Sequence, residues 1–164
     1  QRQMCIRDRD EIEGIDGKSF LKALFGKEKE HRRFAYGIHN NIPEGTAYPI
    51  RSIRDKRYKL ILNLTPEVEY FEKHLMNLKN ERSVWASWIE STKTDKRARY
   101  FVDRYVKRPA IEFYDMQKDP WELNNLAEEK KYAKRIAMMK GELEAWMRQQ
   151  GDTGAQMDVK IKKQ

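Results

Sequence analysis

The sequence predicts an α+β domain: a small four-stranded antiparallel sheet with helices packed on one face. Three observations carry that prediction. Residues 48–54 and 57–64 flank a short polar link and alternate apolar with polar side chains, which is the pattern of a half-buried hairpin. Residues 33–39 show the same period of two, and IEFYDM, residues 111–116, reads as a fourth strand. Residues 130–148 instead step through Tyr132, Ile136, Met139, Leu143 and Trp146 at helical spacing, which makes one continuous apolar stripe.

Taken in order, residues 1–16 lack periodicity and read as a tail. Asp16-Gly17 is a turn signal, and Ser19 can cap a short helix over Phe20, Leu21, Leu24 and Phe25 that Gly26 ends. The charged run KEKEHRR reads as a solvated loop. RFAYGIH, residues 33–39, places Phe34, Tyr36 and Ile38 on one face of a first strand, and NNIPEGTA is a loop by every local signal. In the hairpin, Pro49 sits at the start of its strand, where a missing N–H costs little. Asp55-Lys56 supplies the tight link, and Tyr58, Leu60, Leu62 and Leu64 share the inner face.

Residues 65–80 suit an irregular crossing or short helix. Residues 80–91 form a helix with Val84, Trp85 and Trp88 on one side. The next helix carries Tyr100, Phe101, Tyr105 and Arg97 along one side and stops at Pro109. IEFYDM is the fourth strand, DPWELNNLA a turn-rich segment, and Gly151 stops the last helix, leaving 151–164 as a loosely ordered tail.

The chain has 164 residues, enough for one domain with a modest core, but 37% are charged and 39% apolar, so the core is thin or shared. The net charge of +8 favours anionic partners, with solvated basic faces as the bland alternative. One cysteine excludes an internal disulfide framework. No apolar run approaches the roughly 18 residues of a membrane span. Asn63-Leu64-Thr65 matches a glycosylation triplet and reads as coincidence at a strand end.

Chemistry is scarce. His31, His39 and His74 have no metal-ligand spacing, and no H-E-x-x-H, C-x-x-C, phosphate-loop or nucleophile-elbow motif is present, so no residue is singled out as catalytic or metal-binding. The stretch 93–108 interleaves Lys93, Lys96, Arg97, Arg99, Arg104, Lys107 and Arg108 with Tyr100, Phe101 and Tyr105, a composition that can bind phosphates and stack bases. Aromatic residues at helical spacing are more often core, and no nucleic-acid-binding motif accompanies them.

Three phrases point to a family. YPIRSIRDKRYKLILNL, residues 48–64, resembles the hairpin of the C-terminal subdomain of type I, formylglycine-dependent sulfatases, where R-x-x-R-D-x-R-Y-K-L-I recurs. IEFYDMQKDPWELNNLAEE, residues 111–129, is similar to the strand and turn that end that subdomain. DGKSFL, residues 16–21, resembles the segment leading into it. All three stand in the family's order and spacing, covering residues 10 to 153. The Tyr-Pro-Ile-Arg start, the Trp-rich helix and the last Trp before Gly-Asp resemble the N-sulphoglucosamine sulphohydrolase branch.

The resemblance implies a domain plan: 1–9 non-native, 10–30 a linker from a catalytic domain, 31–150 the subdomain. In the family a cysteine or serine in C/S-x-P-x-R becomes formylglycine, and Asp and Asn side chains hold calcium. Cys5-Ile6-Arg7-Asp8-Arg9 has Arg7 where the proline belongs and lies just before segments that follow the whole catalytic domain. Met4-Cys5-Ile6-Arg7-Asp8-Arg9 resembles translated sequencing adapter, common in metagenomic reading frames. The expectation is therefore a fragment without catalytic residues and inactive alone. Formylglycine and calcium would lie in its missing N-terminal catalytic domain, with this chain supplying domain packing and one pocket wall.

The expected substrate is a sulfated, heparan-type glycan carrying sulfate esters or N-sulfates, and the expected location of the parent is periplasmic or secreted. His39, Asn40 and Arg51 are the candidate substrate-binding residues. For His39, an exposed loop residue or strand-end cap is an equal alternative. DPWELNNLA is expected to be a structural clasp, with Asp115 and Asp119 accepting backbone N–H bonds and Asn124 and Asn125 in left-handed conformations. A free-standing nucleic-acid-binding module and a phosphoesterase of the same superfamily are the alternatives.

Overall fold

The computed structural model describes residues 19–79 and 83–157. The expectations for residues 1–9, Cys5, the Asp16-Gly17 turn, the start of the helix at 80–82 and the end of the tail lie outside them. The chain divides into two units after Ala35. In the first, α1 is the single turn Leu21–Leu24. The amide of Leu21 donates to Ser19 Oγ at 3.4 Å, and Gly26 ends the turn at φ 69°. Its apolar side chains stay open: Leu24 and Phe25 are exposed, and Phe20 meets the ring of His31 edge-on at 6.3 Å.

The second unit holds the sheet. Strands β1 (Ala35–His39), β2 (Ile50–Arg54), β3 (Tyr58–Asn63) and β4 (Ile111–Asp115) are ordered β1-β2-β3-β4. The β2–β3 and β3–β4 pairs are antiparallel, with Ile53 opposite Leu60 and Leu60 opposite Phe113. The hairpin link is one residue longer than expected. Asp55 Oδ1 accepts from the amides of both Arg57 and Tyr58, at 2.8 and 2.6 Å, which shapes residues 55–57 into the turn.

Alternation then sorts the sheet's side chains by face. Ile53, Leu60 and Phe113 point one way and are fully buried with Met139 and Leu143 of α4 (Ala133–Gln149), whose stripe reads as the spacing predicts. Burying each such side chain contributes roughly 1.5–3 kcal/mol. Trp146 extends the stripe and stacks on Tyr36 with ring centroids 4.6 Å apart.

Lys59, Ile61, Glu112 and Tyr114 point the other way. That face also carries helix, beyond the one-sided packing expected: Arg104 of α3 (Lys96–Val106) donates to the Tyr114 hydroxyl at 2.8 Å. Helix α2 (Val84–Ser91) is capped by Ser83, whose side chain accepts from Ala86 N. It joins α3 and the irregular crossing 65–79 around Tyr48, Tyr70, Met76, Trp85 and Val102. Two assigned faces differ from expectation. In α2 only Trp85 is buried, while Val84 and Trp88 are exposed; in α3 the buried residue is Val102, and Tyr100 stands in solvent.

The β4 edge is closed as a clasp. Asn125 Oδ1 accepts from Phe113 N and Ala127 N, Asn125 Nδ2 donates to Ile111 O, and Leu126 N donates to Phe113 O. Asp119 Oδ2 accepts from Asn124 N, and Asp115 Oδ1 from Gln117 N. The left-handed residue of the segment is Glu122, at φ 56°, where Asn124 and Asn125 were expected. Lys59 holds the Glu122 carboxylate at 2.8 Å and Arg104 donates to its carbonyl, so contacts at both ends of the residue offset the cost of that backbone.

Candidate functional site: the loop after the first strand

Residues 40–49 leave β1, turn twice and enter β2. Asn41 anchors the loop: it is buried at φ 62°, and its Nδ2 donates to Thr46 O at 2.8 Å and Phe71 O at 2.7 Å. Asn tolerates this left-handed conformation better than most residues. The Ile42–Pro43 peptide is cis. Gly45 bridges to Glu72, and a Cβ there would fall 1.8 Å from Phe71 O, so the position requires glycine. Tyr48, fully buried, packs edge-on against Tyr70 at 5.4 Å.

Asn40 and Arg51 come together. Arg51 points to the α4 face of the sheet with only 1% of its surface exposed. Its Nη1 donates to Asn40 Oδ1 at 2.7 Å and to Ile50 O at 3.0 Å. Its Nε and Nη2 donate to the two carboxylate oxygens of Asp152, at 2.5 and 3.1 Å. Asp152 Oδ1 also accepts from Gly154 N at 2.8 Å. The Arg51 guanidinium holds the Asp152 carboxyl below the usual carboxylate range, more than offsetting the opposing effect of burial.

This corrects two expectations. Arg51 is committed inside the protein and faces no solvent, and the segment from Asp152 through Met157 is held in place, with a 3₁₀ turn at Gly154–Met157. Because Asn40 Oδ1 is taken by Arg51, the amide NH₂ of Asn40, at a half-buried position, is the donor group that this contact leaves uncommitted. His39 is exposed and separate from this pair; its ring lies 6.3 Å from that of Tyr70. Asp152 and Asn41 were missed at the sequence level. An Asp just after a helix-ending Gly and an Asn in a polar loop give no signal of burial by themselves.

Among the described residues no group of three His, Cys, Asp or Glu side chains could hold a metal ion. No helix among them is long and apolar enough to cross a membrane. What the loop can do chemically is donate: an oriented amide and an adjacent exposed imidazole suit hydroxyl or anionic oxygen acceptors.

No protein-family model matches the chain. Curated relatives do. The chain is 34% identical over 146 residues to an ulvan-active sulfatase of Formosa agariphila, covering 85% of this chain and 26% of that protein. A second ulvan-active sulfatase of that organism is 28% identical over 142 residues, 85% of this chain and 23% of its own. Human N-sulphoglucosamine sulphohydrolase is 25% identical over 141 residues, 80% of this chain and 26% of its own.

The chain thus spans about a quarter of the length of the curated relatives it matches. Among solved structures, a 2-O glycosaminoglycan sulfatase superposes with a TM-score of 0.52 at 22% identity, over 86% of this chain and 22% of the other. A protein solved with its substrate D-glucosamine-2-N,6-O-disulfate does so with 0.53 at 22% identity, over 91% and 22%. By sequence and by fold, this chain is related to the sulfatases and corresponds to their C-terminal subdomain.

Proposed function

We propose that the chain works as the substrate-facing wall of a sulfatase acting on a sulfated glycan, by hydrolysis of sulfate esters or N-sulfates. The observation that carries this reading is the 34% identity to an ulvan-active sulfatase over 146 residues, which includes the hairpin and clasp phrases. The relatives do not favour a free-standing nucleic-acid-binding module. Formylglycine and calcium, carried by a catalytic domain that this chain packs against, would supply the attack on sulfur. Among the described residues no group of three His, Cys, Asp or Glu side chains offers a calcium site. A periplasmic or secreted location goes with a polysaccharide substrate too large to enter the cell intact.

In this reading the chain binds and orients. Asn40 donates its amide N–H groups to glycan hydroxyl or sulfate oxygens, and His39 adds a second contact from the strand end. Arg51 acts behind them as a positioning residue, fixing which way the Asn40 amide faces, and Asp152 fixes Arg51. The excess of positive charge steers a polyanionic substrate toward the enzyme, and screening by salt should weaken that effect.

The test uses the full-length sulfatase. His39→Ala should raise KM for a sulfated oligosaccharide more than for a small aryl sulfate, because the contact is remote from the sulfur. Equal changes on both substrates would remove the assignment. A kcat/KM on polymer that does not respond to salt would remove the steering.

A further inference from the structure

The basic and aromatic stretch 93–108 has no part in the loop site, yet it lines a groove. On α3, Arg97, Phe101 and Arg104 recur at spacings of four and three, so they share one helical face, and Arg108 follows just past the helix end. Phe101, Arg104 and Arg108, the outer side of β3 and β4 and the segment 120–123 enclose a groove of about 540 Å³, with Arg97 one helical turn beyond its lining. This lies within the range of roughly 300–1,000 Å³ typical of sites for compact ligands. Trp88 and Phe101 also line a neighbouring cavity of about 260 Å³ between α2 and α3, which lengthens the groove.

The groove's charges are not all committed. Lys59 holds Glu122, and Arg104 is spent on the Tyr114 hydroxyl and the carbonyls of Glu122 and Leu123. Glu112 accepts from Tyr114 and Asn63. Arg108 is different. It lies on the rings of Tyr70 and Tyr105, 4.6 and 5.3 Å from their centroids, and makes one long hydrogen bond, to Tyr105 O. Arg97 lies over Phe101 at 5.7 Å. Neither guanidinium has a carboxylate partner among the described residues. Stacked on rings, both guanidinium edges are held ready for a planar or tetrahedral oxyanion. Trp121, 81% exposed, presents a bare indole at the rim.

We propose that this groove is a second binding site, for a sulfated saccharide strand, built from elements other than those of the loop after β1. The inference rests on the glycan-sulfatase reading above. Arg108 in the groove binds a sulfate group by charge-assisted hydrogen bonds, Arg97 one turn along α3 takes a further sulfate where the strand runs past the groove, and Trp121 packs on the apolar face of a sugar ring. The site holds a length of polymer away from the reacting unit, so it acts on long substrates and not on single sugars.

The experiment measures binding of a heparin oligosaccharide, its desulfated counterpart and single-stranded DNA by calorimetry, using the 164-residue chain and the full-length sulfatase. The sulfated probe should bind, the desulfated one should not, and Trp121→Ala and Arg108→Gln should each weaken binding on the order of tenfold. In the full-length enzyme Trp121→Ala should lower kcat/KM on polymer and leave a small aryl sulfate unchanged; the side chain is exposed, and the retained aryl activity reports the fold. Equal binding of the desulfated probe, tighter binding of DNA, or indifference to both substitutions would overturn the proposal. If the sulfated probe binds through these residues while the full-length protein cleaves no sulfate, the groove stands and the enzymatic reading falls.

Discussion

Arg51 and Asp152, 101 residues apart in sequence, meet as a bidentate ion pair with 1% and 3% of their side chains exposed. The pair ties the second strand to the segment after α4 and, through Nη1, to the loop residue Asn40. A buried pair of this kind is weak evidence for net stabilisation, because desolvation offsets the attraction, but breaking it leaves a charge without a partner.

Asp152→Ala should therefore cost about 3–5 kcal/mol. The double replacement Arg51→Met with Asp152→Leu should recover most of that loss, since no charge is then stranded. Urea unfolding of the three proteins measures both effects. If the single variant loses no more than the double, the carboxylate is not compensating the guanidinium as the geometry requires.

The clasp makes a second prediction. Asn125 is exposed, yet its side chain closes two backbone groups on the β4 edge and a third at Ala127. Asn125→Ala should destabilise by about 1–3 kcal/mol and open an edge that can pair with another chain. Light scattering on heating should then show earlier association than in the parent. Unchanged stability and scattering would mean that water replaces the amide without cost.

Much of this architecture was legible in local patterns. The period of two in residues 57–64 and the stripe from Tyr132 to Trp146 survive in the structure because each element buries one face against the other. The clasp was legible too, since Asx turns and edge closure use neighbouring residues. The site was less so. Nothing in the spacing links residue 51 to residue 152, and an Arg in a strand reads as exposed unless its counter-charge is known. In α3 the aromatic residues misled: so cationic a helix keeps Phe101 under Arg97 and buries the smaller Val102. Glu122 took the left-handed position because contacts at its two ends hold it there, a tertiary cause that outweighs the intrinsic preference of Asn.

Gly45 supports a third prediction. A methyl group there would meet Phe71 O at 1.8 Å and Asn41 Nδ2 at 2.6 Å, and the first of these is backbone that cannot swing aside. Gly45→Ala should force the loop off the crossing segment and cost several kcal/mol, about 2–4. Hydrogen exchange should show lost protection at the amides of Gly45 and Lys73, which donate to Asn41 O and Glu44 O. Retained protection at both would show that the loop can absorb the methyl group.

Acid should unfold this domain through two carboxylates. Asp115 is held below the ordinary carboxylate range, first by hydrogen bonds from the Arg57 guanidinium, and Asp152 likewise by Arg51. Both have folded-state pKa values lower than their unfolded ones. Their contribution is therefore fully present above the unfolded value of about 3.9 and is lost as the pH falls through the folded values. Stability should be flat in this respect from neutral pH down to about 5 and decline steeply below about 4. Asp115→Asn and Asp152→Asn should each start lower at neutral pH and fall less on acidification, because each removes one titrating group. Chemical unfolding at a series of pH values gives the slopes directly. Variants whose acid limbs run parallel to that of the parent would show that other carboxylates set the transition.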